Sequence, residues 1–432
     1  MQPTTTASPL HDLLGRVARL EPGELPLLLA SFFYYFTILT GYYIIRPVRD
    51  AMGTMVDRAE LQNVFIVVFV VMLLAVPVFG YVVSSFQRRR IVPVIYTFFV
   101  SNLLLYWLFL RTGTQSAFVA KSFFVWVSVF NLFVMSLFWS VMSSSWNSDQ
   151  GKRLFGVIAA GGTAGSLTGP LIAQSLATTL GPGNLLPIAA GFLLVAMWLA
   201  TRLLSHRADG VDAERPPQGA TLSTIFSGAR RVWESRYLFY MALWIFLANL
   251  VSTYFYLEQT ALVRSTISDD SARVQFFARM DLIVSVSTLL IQMFVTARVL
   301  ERFGIGVAAS TLPAVAILGF LAVSVWHSLW VVATVLALER AMNFALANPA
   351  AKVLYTVLDE DEKFKAQNFI DTVVYRGGDA VSGVYFDALA KAGLGIKGIS
   401  LVTLPVAAVW FALSFRLARM FGEREAALPK KR

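Results

Sequence analysis

The sequence contains no cysteine, which excludes disulfide bonds, thiolate metal ligands and iron–sulfur clusters. Histidine is scarce as well: His11, His206 and His327 all fall in predicted loops or helix ends. Charged residues make up only 14% of the chain, whereas soluble domains reach about a quarter. We therefore expect neither an enzyme nor a bound cofactor or metal, and an ordinary soluble protein is excluded.

Apolar residues are what the chain has in abundance. They form 57% of it, and the mean hydropathy is +0.65. Apolar segments of at least about 18 residues recur from end to end, each long enough to cross a hydrocarbon core as a helix. The first two dozen residues show no pattern of a removable signal peptide. The sequence predicts an all-α, polytopic membrane protein.

Apolar length and polar breaks predict about twelve spans, arranged as two halves of six. The halves cover 25–204 and 237–417, joined by a polar cytoplasmic linker over 205–236. A cytoplasmic segment, 1–24, precedes them, and a basic cytoplasmic tail, 418–432, follows. The predicted spans are 25–45, 61–83, 91–111, 117–145, 154–179, 184–204, 237–258, 275–297, 305–326, 328–357, 366–390 and 397–417.

The distribution of basic residues predicts the orientation. Most of the 36 Lys and Arg residues, including Arg88–Arg90, lie in segments that are cytoplasmic if the N-terminus is. We expect a multi-pass protein of the cell inner membrane, with both termini in the cytoplasm. The net charge of +10 is then a topology signal, and nucleic acid is not an expected partner.

Short matches between the halves indicate a duplication. "YYIIR" at Tyr42–Arg46 matches "YFYLE" at Tyr254–Glu258 with a numbering offset of 212, and "GGTAGS" from Gly161 matches "GGDAVS" from Gly377 with an offset of 216. Parallel six-helix repeats are typical of major-facilitator transporters, whose substrate site lies between the halves near the midplane. The repeat predicts that Arg46 and its equivalent, Glu258, lie across a cavity from each other.

The stretch "GYYIIRPVRDAMG" concentrates charge directly after the first apolar run. Arg46 and Arg49 are three residues apart, so on a helix they share a face and can present two guanidinium groups to one anion. Pro47 is expected to break or kink the helix. Interfacial snorkelling, with Asp50 neutralising one arginine, is the structural alternative.

At this stretch the chain resembles the ATP/ADP antiporter family of plastids and obligate intracellular bacteria, with its free-living bacterial relatives. That family has a motif I-L-R-x-x-K-D, and here Ile44–Asp50 reads "IIRPVRD". The resemblance extends to "SLFWS" in span four, "RLFGVIAAGGTAGSLTGP" in span five and "AQNFIDTVVYRGGDAVSG" in span eleven. It implies a twelve-helix, major-facilitator-like exchanger whose basic residues hold nucleotide phosphates, with Arg46 and Arg49 at the basic positions.

Two departures from the family pattern bear on specificity. Antiporters for ATP and ADP tend to have a Glu where span four has Val127, and Gly-Lys-Ser where span eleven has Gly377-Gly378-Asp379. The glycines of span five lack a preceding strand and a following Gly-Lys-Ser, so they indicate close helix packing instead of a phosphate loop. A non-nucleotide solute, or a transport-like protein without transport, therefore stays as an alternative.

Span eleven carries the other charged group of the apolar regions. Arg376 and Asp379 have the spacing of a local ion pair, which leaves Asp371 to another partner. Ionisable residues inside spans are functional candidates because burying them unpaired is costly. Further candidates are Glu258, Asp281, Glu339, Arg340 and Lys352, of which Asp281 is expected to cap span eight or lie at the interface.

The predicted function is secondary active transport of an organic anion, a nucleotide or another phosphorylated solute, by alternating access. A monomer in the bilayer, with ATP or ADP among the candidate substrates, is expected. Predicted substrate-binding residues are Tyr42, Tyr43, Arg46, Arg49, Lys352 and Arg376, and predicted coupling or gating residues are Asp50, Glu258, Asp371 and Asp379.

Overall fold

The structure is a computed structural model that describes residues 20–21, 23–112, 116–205 and 222–427. Most of the N-terminal segment and residues 428–432 of the predicted tail lie outside the described residues, while residues 418–427 of that tail continue the last helix. The α-helices are α1 Leu25–Gly53, α2 Arg58–Ser85, α3 Arg88–Arg111, α4 Ala117–Ser145, α5 Ser148–Leu180, α6 Leu185–Ser205, α7 Leu222–Glu234, α8 Arg236–Thr266, α9 Asp270–Ile291, α10 Ala297–Val325, α11 Leu329–Met342, α12 Asn348–Leu354, α13 Glu360–Phe369, α14 Tyr375–Lys391 and α15 Ile396–Ala427.

Twelve crossings follow from these helices. Ten segments of the described chain are long and apolar enough to span a membrane. One of them, Asp270–Val325, has 56 residues, which as a helix is about 84 Å and more than twice a bilayer core. Gly304, at φ 77°, interrupts it within α10 and divides the segment into two crossings. Helices α13 and α14, joined by a π-helical turn over Ile370–Val374, form the remaining, more polar crossing.

The predicted fold class is therefore confirmed, and helix caps strengthen the evidence for duplication. Asp57 accepts a hydrogen bond from the backbone N–H of Glu60 at the start of α2, and Asp269 does the same for Ala272 at the start of α9. Ser116 and Ser328 cap α4 and α11. The two members of each pair differ in number by 212, which is also the offset between Arg46 and Glu258.

Glycines bring α1 and α5 into close contact. A Cβ added at Gly161 would lie 2.4 Å from the Phe32 carbonyl oxygen, and one at Gly165 would lie 2.5 Å from that of Phe36. Real Cβ atoms do not approach so closely, so only glycine fits this seam. The interpretation of these glycines as packing residues is confirmed.

Each half has an apolar core, the first of which also includes residues of α9 and α11, and α1 contacts α9 across the halves. In one core, Phe138 and Tyr34 pack together; in the other, Trp410 and Trp244 do. Helix α5 contacts α9, and α2 contacts α14. Between the halves in sequence, the predicted linker contains helix α7, where Gly228 packs tightly on the Lys365 backbone of α13.

The first helix is longer than the sequence predicts. It continues through Pro47 to Gly53, so the predicted break is wrong. The lost N–H of a proline removes one hydrogen bond, and the helix around it is held by burial: Ile44, Ile45 and Val48 are at most 1% exposed. Arg46, Arg49 and Asp50 consequently project from a continuous helix.

Candidate site between the two halves

The membrane face where α1 begins is called the Leu25 side, and the face where it ends is called the Gly53 side. Helices α9 and α11 begin on the Gly53 side. Asp281 and Arg340 each lie eleven residues into their helices, which is about 16 Å at 1.5 Å per residue, half of a roughly 30 Å hydrocarbon core. Asp281 and Arg340 therefore lie near the midplane.

Arg46 and Arg49 converge on one carboxylate, as their spacing predicts for an anion. Arg49 donates from Nε to Asp50 Oδ1 at 2.9 Å, and Arg46 Nε lies 4.0 Å from Oδ2 of the same side chain. Tyr256 of α8 donates to Oδ1 at 3.0 Å. The Arg49 guanidinium also lies 4.8 Å from the centre of the Phe124 ring. Asp50 is thus the carboxylate on which both guanidinium groups and the Tyr256 hydroxyl converge.

Asp281 connects this group to the second half. Its Oδ1 lies 3.5 Å from Arg46 Nη1 and accepts a hydrogen bond from Arg340 Nη2 at 2.7 Å. Asp281 is 1% exposed. The predicted capping or interfacial role of Asp281 is wrong because α9 begins at Asp270, earlier than predicted, and Asp269 is its cap.

The resulting group, here called the arginine cluster, consists of Arg46, Arg49, Asp50, Asp281 and Arg340. Three guanidinium groups face two carboxylates, which leaves one positive charge. The arginines are 14–16% exposed, so this charge is largely removed from bulk water. An isolated charge in a membrane interior is costly unless a partner or water reaches it.

A cavity of about 280 Å³ lies between the halves next to this cluster. Tyr43 of α1 lines it, and the Tyr43 ring lies 5.8 Å from the Arg46 guanidinium and 5.4 Å from the Tyr42 ring. Its hydroxyl-bearing lining residues are Tyr35, Tyr43, Thr163, Ser166, Ser285 and Thr288. The cavity combines aromatic faces, hydroxyls from both halves and an adjacent positive charge.

Arg376 and Asp379 form the local pair that their spacing predicts, with 3.4 Å between Arg376 Nη1 and Asp379 Oδ2. Thr253 of α8 donates to Oδ1 of Asp379 at 2.9 Å. The neighbouring Ser252 donates to Oε2 of Glu339 at 3.1 Å. Asp379 and Glu339 thus accept hydrogen bonds from adjacent residues of α8. Of the two, Asp379 has a described guanidinium partner, Arg376.

A further ion pair joins the halves on the Gly53 side. Arg58, in the first turn of α2, pairs with Glu258 of α8, and His327 Nε2 lies 3.4 Å from the other Glu258 oxygen. Gln275 donates to the Gln174 carbonyl at 3.3 Å on the same side. Together with the arginine cluster, these contacts hold the halves together between the midplane and the Gly53 side.

Lys352 and Asp371 lie apart from the arginine cluster. Their charged atoms are 4.0 Å apart, and the side chains are 62% and 54% exposed. Of the predicted site residues, the structure brings together Tyr42, Tyr43, Arg46, Arg49 and Asp50. It places Glu258 with Arg58, Lys352 with Asp371, and Arg376 with Asp379.

Asp281, Tyr256, Arg58 and His327 contact the predicted site residues but are not themselves predicted from the sequence to belong to the site. A signal for Asp281 exists: Asp57 and Asp269, related by the repeat offset, mark equivalent helix starts and place Asp281 well inside its helix. Within the described residues, no group of three or more His, Asp or Glu is arranged to hold a metal ion. The site can bind charge and exchange ion-pair partners.

Comparisons with known proteins agree with this architecture. The sequence profile of the Major Facilitator Superfamily matches residues 27–378. No curated protein matches the sequence of this chain. Similar solved structures include a bacterial homolog of the human lysosomal transporter Spinster, in an inward-facing conformation, at 14% identity and a TM-score of 0.57, covering 93% of this chain and 99% of that one.

Two other similar structures are transporters of different solutes. The nucleoside transporter NupG is 12% identical with a TM-score of 0.61, covering 92% of this chain and 98% of its own. The human organic anion transporter MFSD10 is 16% identical with a TM-score of 0.54, covering 91% of this chain and 100% of its own. At such low sequence identities, the structural similarity establishes the fold alone and not the solute.

Proposed function

The chain belongs to the Major Facilitator Superfamily, and from that premise we propose that it transports an organic anion by alternating access. Transporters of this superfamily move small molecules across membranes, so the superfamily supports transport and leaves the solute open. The anionic class is our proposal. It rests on one observation, the uncompensated positive charge of the arginine cluster beside a cavity between the halves.

Phosphate or carboxylate oxygens fit this site chemically. Arginine presents a planar fork that can bind two such oxygens at once, a geometry that lysine lacks. Tyr43 and the hydroxyls of Thr163 and Ser285 can bind the remainder of a polar or aromatic solute. A phosphorylated solute, including a nucleotide, is our leading substrate class, supported by the resemblance of Ile44–Asp50 to the ATP/ADP antiporters.

The named substrates of similar transporters leave a second class open. MFSD10 is an organic anion transporter and NupG a nucleoside transporter. The departures at Val127 and Asp379 from the antiporter pattern favour a non-nucleotide anion as the alternative. Both alternatives use the same arginine cluster.

The orientation proposed from the basic residues places the Leu25 side in the cytoplasm of an inner membrane. The described ion pairs between the halves lie between the midplane and the Gly53 side, so solute would reach the cavity from the cytoplasm in this conformation. Opening to the other side must separate Arg58 from Glu258 and rearrange Asp50. We propose that Asp50 and Glu258 gate the transport cycle. Asp371 and Asp379 are proposed to gate it as well, through their ion pairs with Lys352 and Arg376.

Purified protein in proteoliposomes tests the proposal. Labelled ATP, inorganic phosphate, a hexose phosphate and citrate serve as anionic probes, and adenosine and glucose serve as neutral controls. We expect exchange of at least one anionic probe and of neither neutral control, measured against protein-free liposomes. Transport of a neutral solute alone would contradict the anionic class, and no transport of any probe would favour the transport-like alternative.

A further inference from the structure

Glu339, near the midplane of α11, is the most completely enclosed carboxyl group described in the second half. Its side chain is 0% exposed. Ser252 donates to one oxygen, while the other, Oε1, is buried without a hydrogen-bond partner. A charged carboxylate in such a place is strongly disfavoured, whereas a protonated one is compatible with burial.

The charged groups around Glu339 are already engaged. Arg340, its neighbour in sequence, directs its guanidinium to Asp281 of α9 at 2.7 Å. From α8 the contact is the Ser252 hydroxyl, and from α14 the Tyr375 phenol is an electrostatic neighbour. Helix α10 packs on α11 but carries its ionisable residues, Arg298, Glu301 and Arg302, in its first turns on the Leu25 side.

Asp379 provides an internal comparison. It is also buried, at 9% exposure, and accepts a hydrogen bond from Thr253, the residue next to Ser252. Asp379, however, has the Arg376 guanidinium 3.4 Å away. A cation at this distance stabilises the charged carboxylate. Each of the two carboxyl groups therefore accepts one hydroxyl hydrogen bond, and Asp379 differs from Glu339 in the guanidinium beside it.

We infer that Glu339 is the binding site of a coupling proton, which is carried on its carboxyl group and exchanged with water once per transport cycle. The inference rests on the proposed function for its coupling role and on the enclosure of Glu339 for the proton itself. A proton suits this site better than a metal cation because metal ions such as Ca²⁺ take six or more oxygen ligands. The contacts described around Glu339 supply one hydroxyl and its own carboxyl.

The coupling has a structural route. Glu339 and Arg340 are adjacent on α11, and Arg340 holds Asp281, which contacts Arg46 of the first half. Binding of an anion at the arginine cluster would draw the guanidinium groups away from their carboxylates. Movement of α11 that accompanies this exchange would open Glu339 to water, where its proton leaves.

Infrared difference spectroscopy across neutral pH tests the proton site without any substrate. The wild-type protein should show the carbonyl stretch of a protonated carboxylic acid. Glu339→Gln should lose this band, and Asp379→Asn should keep it. Glu339→Asp, which retains a carboxyl group, should shift the band, and it serves as the second variant if the amide does not fold. A band that is absent from the wild type, or unchanged in Glu339→Gln and Glu339→Asp, would overturn the inference.

Transport in proteoliposomes tests the coupling, with whichever anionic probe the wild type exchanges. A pH gradient should drive accumulation by the wild type, and Glu339→Gln should keep exchange but lose accumulation. Accumulation that follows a sodium gradient and ignores pH would overturn the proton while leaving anion transport intact. Failure of the wild type to exchange any anion would instead refute the proposed function, and the infrared result would still decide the protonation of Glu339.

Discussion

The two halves share a framework and differ in where they bury charge. At the duplication offset of 212, Asp281, Glu339 and Arg340 of the second half correspond to Phe69, Val127 and Ser128 of the first. In the first half the charge is instead on α1, where Arg49 and Asp50 correspond to Ala261 and Leu262.

Features needed for folding recur in both halves, whereas most buried charges occur in one half only. Equivalent caps begin equivalent helices in both halves, so the features that form the bundle recur. Apart from the position of Arg46 and Glu258, which is charged in both halves, these buried charges do not recur, and each of them costs stability. We interpret the unshared charges as the part of the molecule that binds and couples.

Of the equivalent positions in the two halves, Asp281 and Phe69 should differ most in the unfolding free energy that a substitution removes. Asp281→Ala leaves Arg46 and Arg340 without their shared carboxylate, and removal of one partner from a buried ion pair costs roughly 3–5 kcal/mol of unfolding free energy. At the equivalent position of the first half, Phe69→Leu should cost less than about 1.5 kcal/mol. Thermal unfolding of the purified variants measures both, and equal losses would break the comparison.

Substitution by alanine at the equivalent Gly161 and Gly377 should give a smaller difference in unfolding free energy. An alanine at Gly161 would meet the Phe32 carbonyl at 2.4 Å, whereas at the equivalent Gly377 the nearest atom is 4.0 Å away. Gly161→Ala should therefore destabilise by about 1–3 kcal/mol through overpacking, and Gly377→Ala should be nearly neutral. Gly156→Ala, with nothing within 4 Å, is the control within α5. A neutral Gly161→Ala would contradict the close packing of α1 on α5.

The contact between the halves at Arg58 and Glu258 should have an effect of similar or smaller size. Arg58→Gln removes a charge-assisted contact of about 1.5–3 kcal/mol, which favours opening on the Gly53 side. Because the chain has no cysteine, Met52→Cys supplies a single label site there, at a residue that is 4% exposed. We expect maleimide labelling at position 52 to accelerate on the order of tenfold.

Trp139→Cys controls for general loosening, because Trp139 is on the opposite side of the bundle and 48% exposed. Labelling there should not accelerate when Arg58 is replaced by Gln. Acceleration at both positions would mean that the substitution loosens the whole fold instead of opening one side.

The exposed pair of Lys352 and Asp371 should give the smallest effect. With both side chains more than half exposed, Asp371→Asn should change the unfolding free energy by less than about 1 kcal/mol. A loss comparable to that of Asp281→Ala would show that this pair is enclosed in the membrane, and that the contrast between buried and exposed charges is wrong.

Local patterns predicted much of this structure. The twelve crossings follow from apolar length, and the Arg376–Asp379 pair follows from helical spacing. Apolar length predicts a start of α9 at residue 275, later than the observed Asp270, because "DDSARVQ" is polar and helices can begin well outside the apolar window. The role of Asp281 was missed for that reason, and its contacts with Arg46 and Arg340 depend on how three helices pack, which single-residue spacing does not encode.

The most direct test of the account is the affinity of the arginine cluster for its anion. Arg46→Ala leaves Asp281 paired with Arg340, so the protein should fold, and Arg49→Lys keeps the charge while removing the fork. In proteoliposomes with matched insertion, we expect Arg46→Ala to weaken apparent affinity by about 10- to 150-fold, as for a lost charge-assisted hydrogen bond, and Arg49→Lys to weaken it less. Wild-type affinity and exchange rate in both variants would contradict an anion site at these arginines.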